Sequence, residues 1–241
     1  MGKLNSKIRW QQDLSYDIRT QTAWDDKDGD PRIPFNGWKE VTEENRQVIK
    51  ERFLRVRDYC SAILEIGISR NGPDSFTQVF LQNKKKETIY IGIDIDDKKY
   101  LNNTEENIYT IQNSSSNYEE NMKRINEIFE RCGTERKEFD FIFIDGWHSI
   151  NQCLHDWEFT SLLGKNGIVG LHDTAYHPGP KPFVKALNRD KWIVEENVIK
   201  TSNDWGIGFA WKKEGNIWQP AEPGYTWEIG APDADVVSRS R

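Results

Sequence analysis

The sequence predicts an α/β protein with a mostly parallel sheet that closes in an antiparallel hairpin. Five short apolar runs carry this: AILEIG (62–67), TIYIGID (88–94), NIYTI (107–111), FDFIFID (139–145) and NGIVGLHD (166–173). Runs this short and continuous suit strands buried on both faces, and their alternation with helical spacing suits βαβ units. The end of the chain differs. KWIVEENVI (191–199) and GIGFAW (206–211) are two β-type runs joined by a polar, turn-prone KTSND, which reads as a hairpin.

Each element follows from a local pattern. Residues 1–40 are polar and irregular, with Trp10, Trp24, Trp38 and the turn-rich DDKDGDPRIPFNG. They read as a cap or lid docked by its aromatics, with a mobile arm as the alternative. From Thr42 to Cys60, apolar Ile49, Phe53, Val56 and Cys60 fall on one helical face, and Thr42 suits the N-cap. A second amphipathic helix is marked by Tyr118, Met122, Ile125, Phe129 and Cys132. A third follows the fourth strand, at Ile150, Leu154, Trp157 and Ser161. The domain proper is thus 41–212, and 213–241, rich in Pro, Gly and Trp, forms a tail.

Composition narrows the function. The chain has 241 residues, 36% hydrophobic and 30% charged, and a formal net charge of −6. That acidic balance argues against nucleic acid as a partner, which needs a cationic surface. No apolar run approaches the ~20 residues of a membrane span. The N-terminal MGKLNSKIRWQQDL lacks a secretory apolar core. Cys60, Cys132 and Cys153 form no CxxC pair, so neither a disulfide framework nor a zinc knuckle is indicated. A cytoplasmic setting is expected.

Parallel sheets bind ligands beyond the carboxyl ends of their strands, so the strand ends are the places to search. The first is LEIGISRNGPDS, where Gly67 and Gly72 allow a tight turn and close approach to the backbone. Glu65 before this turn suits a cationic ligand better than a pyrophosphate. The second strand ends in Asp94, placed to accept ribose hydroxyls. The full GxGxxG fingerprint is absent, which leaves an ordinary βα turn as the bland alternative. The fourth strand ends in Asp145, with His148 three residues on. Alone, that is a polar strand end with a helix-cap or surface histidine.

Taken in order, LEIGISRNG, IGIDID and FIFIDGWHS…LLGKNGIVGLHDT resemble the class I S-adenosylmethionine-dependent methyltransferases. The likeness is to the branch that includes macrolide-sugar O-methyltransferases and cephalosporin-hydroxylase-like proteins. It covers roughly 60–211 and implies a Rossmann-like sheet. It also implies that Glu65 and Gly67 line the methionine part of the cofactor, with Ser69 and Gly72 completing the turn. Asp94 would hold the ribose. Ser114 stands where relatives carry an acid near the adenine, and Ser115 is the other contact there. Asp145 would bind a divalent ion, magnesium or one like it, and touch the cofactor, while His148 serves as base. Asp173 would be a second ligand. His172 replaces the acid usual at that place and either ligates or is simply packed.

The chemistry suits these residue types. A sugar hydroxyl has a high pKa, so a metal that lowers it and a histidine that takes its proton are natural aids. Carboxylates are hard oxygen ligands. The implied function is O-methylation of a small acceptor, such as a sugar unit of a glycan or natural product. Against it stands a non-catalytic cofactor-binding protein of the same fold, or a methyltransferase of another acceptor class. An oxidoreductase lacks its GxGxxG, and an RNA-cap methyltransferase lacks its Lys-Asp-Lys-Glu set. His155 reads as a helix residue; His177, after the strand-end loop in TAYHPGP, reads as a surface loop, with an acceptor-facing residue as the alternative. Trp147 and Trp205 wall the pocket or pack in the core. Lys84-Lys85-Lys86 reads as a solvated face. Residues 1–40 and 213–241 would shape the acceptor pocket or a homo-oligomer interface.

Overall fold

A computed structural model describes residues 11–18, 41–68, 72–175, 177, 179–198 and 205–215. Ser69, Trp10, Trp24, Trp38, the whole KTSND turn and nearly all of the tail lie outside them.

Helix α1 (Glu43–Arg57) begins at Thr42, whose hydroxyl accepts from the backbone N–H of Asn45 in a capping box. Strand β1 (Ala62–Ile66) follows, then α2 (Phe76–Asn83), capped by Ser75. Next come β2 (Ile89–Asp94) and β3 (Ile108–Gln112), helix α3 (Tyr118–Arg131) and β4 (Phe139–Ile144). Helix α4 (Ile150–Trp157) is capped by Ser149 and runs into a 3-10 turn, Glu158–Leu162. Strand β5 (Leu163–His172), helix α5 (Pro180–Ala186), β6 (Trp192–Glu195) and β7 (Ile207–Lys212) complete the order.

The seven strands form one sheet, ordered β3-β2-β1-β4-β5-β7-β6. The pairings from β3 through β5 are parallel, and β7 is antiparallel to both β5 and β6. This is the Rossmann-like sheet with a terminal hairpin that the apolar runs predict. Side chains alternate across it. Ile63, Tyr90, Phe141, Phe143 and Ile168 face α1 and α2, while Leu64, Ile91, Ile142, Val169 and Leu171 face α3, α4 and α5. Both faces are covered, which is why the strands read as continuous apolar runs.

Three details depart from the sequence reading. Helices α2 and α5 were not separately marked by it. The penultimate strand stops at Glu195 rather than running to 199, because Asn197 has a left-handed backbone, φ 44°. Lys84 is no solvated lysine: its ammonium donates to the carbonyls of Lys85, Thr88 and Glu106. Burial lowers its pKa. The described part of the N-terminal segment docks through Leu14 and Ile18, both buried; its tryptophans lie outside the described residues. Asp13 accepts from the Trp157 indole at 3.0 Å, and Ser15 N–H donates to Ala186 O at 2.7 Å. Among the described residues no helix is long and apolar enough to cross a membrane.

The strand order reverses between β1 and β4, where a crevice opens at the carboxyl ends. There Gly67 adopts φ +83°. A Cβ on it would lie 2.0 Å from the Asp145 carbonyl oxygen. The glycine therefore admits the backbone of β4 itself. Gly67→Ala should cost at least about 2 kcal/mol through left-handed strain and this clash. Urea unfolding of the variant measures it, and a loss within 0.5 kcal/mol (about the noise of surface substitutions) would contradict the close approach.

Candidate active site

Beyond the ends of β1, β2, β3 and β4 lies a cleft of about 380 Å³, in the range of small-molecule sites. Its inner wall is Ile66, Gly67 and Ile68 from β1 and its turn, with Asp94 and Ile95 from β2. Asn113, Ser114 and Ser115 follow β3. Asp145, Gly146, Trp147, His148 and Gln152 complete the lining. The structure thus brings Gly67, Asp94, Ser114, Ser115, Asp145 and His148 to one cleft. Trp147 is 56% exposed there, an aromatic wall rather than a core residue.

Asp94 is already a clamp. Its carboxylate accepts from the backbone N–H of Ile68 at 2.8 Å and of Asp96 at 2.7 Å. It ties the turn after β1 to the end of β2. Each oxygen keeps a second lone pair for a ligand hydroxyl. Lys98, itself buried, lies 3.9 Å away.

Two glycine-turn expectations change. Gly72 is left-handed (φ +61°), but a Cβ there meets nothing within 4 Å; it shapes the 3-10 turn Gly72–Asp74 and is not part of the cleft wall. Glu65 is fully buried on the other face, accepting from the Thr77 hydroxyl at 2.9 Å and from the Tyr90 hydroxyl. Burial pushes its pKa up to about 8, against the pull of those two hydroxyls. At neutral pH it is mainly protonated, so it lacks the negative charge that the sequence reading gave it.

At the far end of the cleft, β4 and β5 set their terminal acids side by side. His172 Nδ1 lies 2.9 Å from Asp145 Oδ1 and 3.1 Å from Asp173 Oδ1. His148 Nε2 lies 2.6 Å from Asp173 Oδ2. Asp173 is 1% exposed and has a left-handed backbone, φ 64°. Strain of this kind gathers at functional sites. Despite the close nitrogens, neither Asp173 oxygen makes a hydrogen bond of ordinary geometry among the described residues. Burial opposes a charge on His172, yet Asp173 and Asp145 outweigh it and raise its pKa well above 6.5. Burial likewise works against the Asp173 carboxylate, but His172 and His148 lower its pKa well below 3.8. Asp145 is pushed the other way, by burial, with Asp173's like charge adding to it and His172 offsetting part.

His172 also packs edge-on against Phe76, centroids 4.8 Å apart, so it is both packed and in the polar cluster. His177 is the plainest correction. It is fully buried, not on a surface loop, and its ring stacks on His148 at 3.9 Å. Trp205 meets His177 edge to face at 4.8 Å.

Asp156 was missed. It is buried behind Gly146, where a Cβ would sit 2.7 Å from its Oδ2. Gln152 donates to it at 2.8 Å and to Ser115 at 2.7 Å. Burial raises its pKa to about 6. An acid between apolar Cys153, Leu154 and Trp157 on an amphipathic helix was the available signal.

No protein-family model matches the chain, and no curated protein does. Solved structures do. Cofactor-bound Rv0187 from MTB is 12% identical, with a TM-score of 0.50 over 89% of this chain and 100% of that one. The O-methyltransferase TomG from Streptomyces achromogenes, solved with SAM, is 15% identical, with a TM-score of 0.48 over 88% and 99%. MycE, from the mycinamycin pathway and solved with Mg and SAH, is 18% identical, with a TM-score of 0.45 over 70% of this chain. The chain spans 50% of the length of MycE. At such identities the likeness is one of fold: a Rossmann-like sheet.

The Glu65 shift has a sign that can be tested. Its folded pKa of about 8 lies above the unfolded 4.5, so between those values the native state holds the extra proton. Stability from this group is fully present below pH 4.5 and falls as pH rises to about 8, at about 1.4 kcal/mol per unit. Glu65→Gln should flatten this fall. Melting temperatures at pH 5 and 8 for both proteins decide it; parallel losses in the two would refute the assignment.

Proposed function

We propose that the chain is an S-adenosylmethionine-dependent O-methyltransferase whose catalytic domain is 41–212, acting on a hydroxyl of a small acceptor such as a sugar unit. The observation that carries this is a single one. The cleft at the strand reversal is lined by Gly67, Asp94, Asp145 and His148 together. A ligand-binding wall and an acid–base cluster therefore share one space.

The cofactor, when bound, supplies a methyl group activated by its sulfonium. Gly67 leaves room at the backbone, Asp94 accepts hydroxyls, and Ser114 and Ser115 offer small polar contacts. Ile95 and Trp147 give apolar walls. Asp145 and Asp173, with His172 between them, are the residues that would hold a divalent ion. The buried, underused oxygens of Asp173 fit such a cation. That ion, when bound, would lower the pKa of the acceptor hydroxyl.

His148 is the base in this reading. Its Nε2 faces the Asp173 carboxylate, which favours the protonated imidazole formed when it takes the acceptor proton. Asp173 orients the ring. His172 sets the charge of the cluster, and the Trp147 wall limits water on the cleft side.

One observation favours a second reading. His172 already places a positive charge between Asp145 and Asp173. With its carboxylates thus balanced, the fold could serve as a cofactor-binding protein without catalysis.

Calorimetry with S-adenosylhomocysteine should show binding in the micromolar range. Absence of binding at high protein concentration removes the cofactor reading. His148→Ala should lower methyl transfer to a sugar acceptor by about 10²–10⁴-fold while leaving S-adenosylhomocysteine affinity nearly unchanged. Activity retained in this variant would show that another group is the base.

A further inference from the structure

Asp173 belongs to two overlapping groups of potential ligands. One contains Asp145 and His172. The other contains His148 and His177, with one ligating atom from each residue lying within 4.8 Å of the others. His148 Nε2 is 2.6 Å from Asp173 Oδ2, and His177 Nε2 is 3.9 Å from Asp173 Oδ1. The second group is built into the interior. His177 is fully buried, and Asp173 nearly so, with both of its oxygens short of hydrogen bonds.

The backbone makes this grouping. His177 N–H donates to the Asp173 carbonyl at 3.1 Å, a turn that returns the imidazole to the side of the carboxylate. Gly179 then lies against the loop that carries His148, since a Cβ there would meet the His148 carbonyl oxygen at 2.2 Å. Trp205 backs the His177 ring. These supports fix three donors around one point without help from Asp145, which is engaged with His172.

Two imidazoles and a carboxylate are the wrong set for magnesium, which takes oxygen ligands and near-octahedral geometry. They suit zinc and its neighbours, and three protein ligands leave a fourth position open. We propose that His148, Asp173 and His177 form a site for a nitrogen-preferring divalent transition ion such as Zn²⁺, and that its occupancy removes His148 from proton transfer. A neutral imidazole coordinated through Nε2 carries its proton on Nδ1, so neither nitrogen has a lone pair left to accept another. The inhibitory half rests on the reading of His148 as base; the binding half does not.

Zn²⁺ is titrated into the full chain by calorimetry in excess Mg²⁺, and Co²⁺ is followed by visible absorption. The wild type should bind Zn²⁺ with defined stoichiometry and give the intense bands of low-coordinate Co²⁺. His177→Phe keeps a ring in the stack and removes its nitrogens. It should weaken Zn²⁺ binding by at least about tenfold, the lower bound for loss of even an indirect metal support, with S-adenosylhomocysteine affinity unchanged. His177→Cys guards against misfolding of the first variant. It should recover Co²⁺ binding with a thiolate-to-cobalt charge-transfer band. Wild-type affinity in His177→Phe, or no such band in His177→Cys, overturns the site. Zn²⁺ should also inhibit methyl transfer in the wild type and much less in His177→Phe. Zinc binding without inhibition overturns the inhibitory half alone, and activity surviving His148→Ala would bear on the base and not on the ion.

Discussion

The close approach of Gly67 to the backbone of Asp145 is the contact on which the cleft depends. It lies where the sheet changes direction, between two strands far apart in sequence and adjacent in space. The Asp145 N–H donates to the Ile66 carbonyl at 2.8 Å, and the Gly67 N–H to the Ile93 carbonyl at 2.9 Å. Three strand ends are stitched together there. With no side chain at Gly67, the acid at the end of β4 can settle against the floor and face the cleft. A side chain would hold those strands apart and move the carboxylate with them.

The second determinant is charge in a dry place. Asp145, His172 and Asp173 are close enough that no one of them titrates alone. Buried charges persist only when paired or bound to a cation. Here the histidine at the end of β5 supplies positive charge from within the chain. Glu65 shows the opposite outcome nearby. Its neighbours are two hydroxyls rather than a cation, so desolvation prevails and the proton stays.

The sheet was legible because both of its faces are buried. Strands β1, β2 and β4 had almost no exposed position to blur them, and AILEI or FDFIFI could be nothing but interior. Their parallel order followed from the helices between them. Boundaries set by single backbone angles were not legible, as at Asn197, nor was helix α2, only eight residues long. Within the site, residues at strand ends could be read, because the fold itself brings such ends together. Asp94, Asp145 and His148 are of this kind. His177 and Asp156 could not be placed, since each owes its position to a loop or helix folding back across the sheet. Glu65 was misjudged for another reason: sequence reveals an acid, not the proton it keeps. Lys84 has the same lesson in reverse, a cation used on three carbonyls.

The left-handed backbone at Asp173 also narrows what can stand at that position over evolutionary time. Glycine tolerates such a backbone more readily than aspartate and asparagine at least as readily; glutamate, the other acid, does so less well. The turn can thus keep its shape while losing its charge more easily than it can keep the charge on a longer arm. Descendants of this chain would sooner fall silent at Asp173 with the fold intact than shift the carboxylate to a new reach. Silent copies would look almost unchanged in outline, differing by one atom's worth of chemistry at the end of β5.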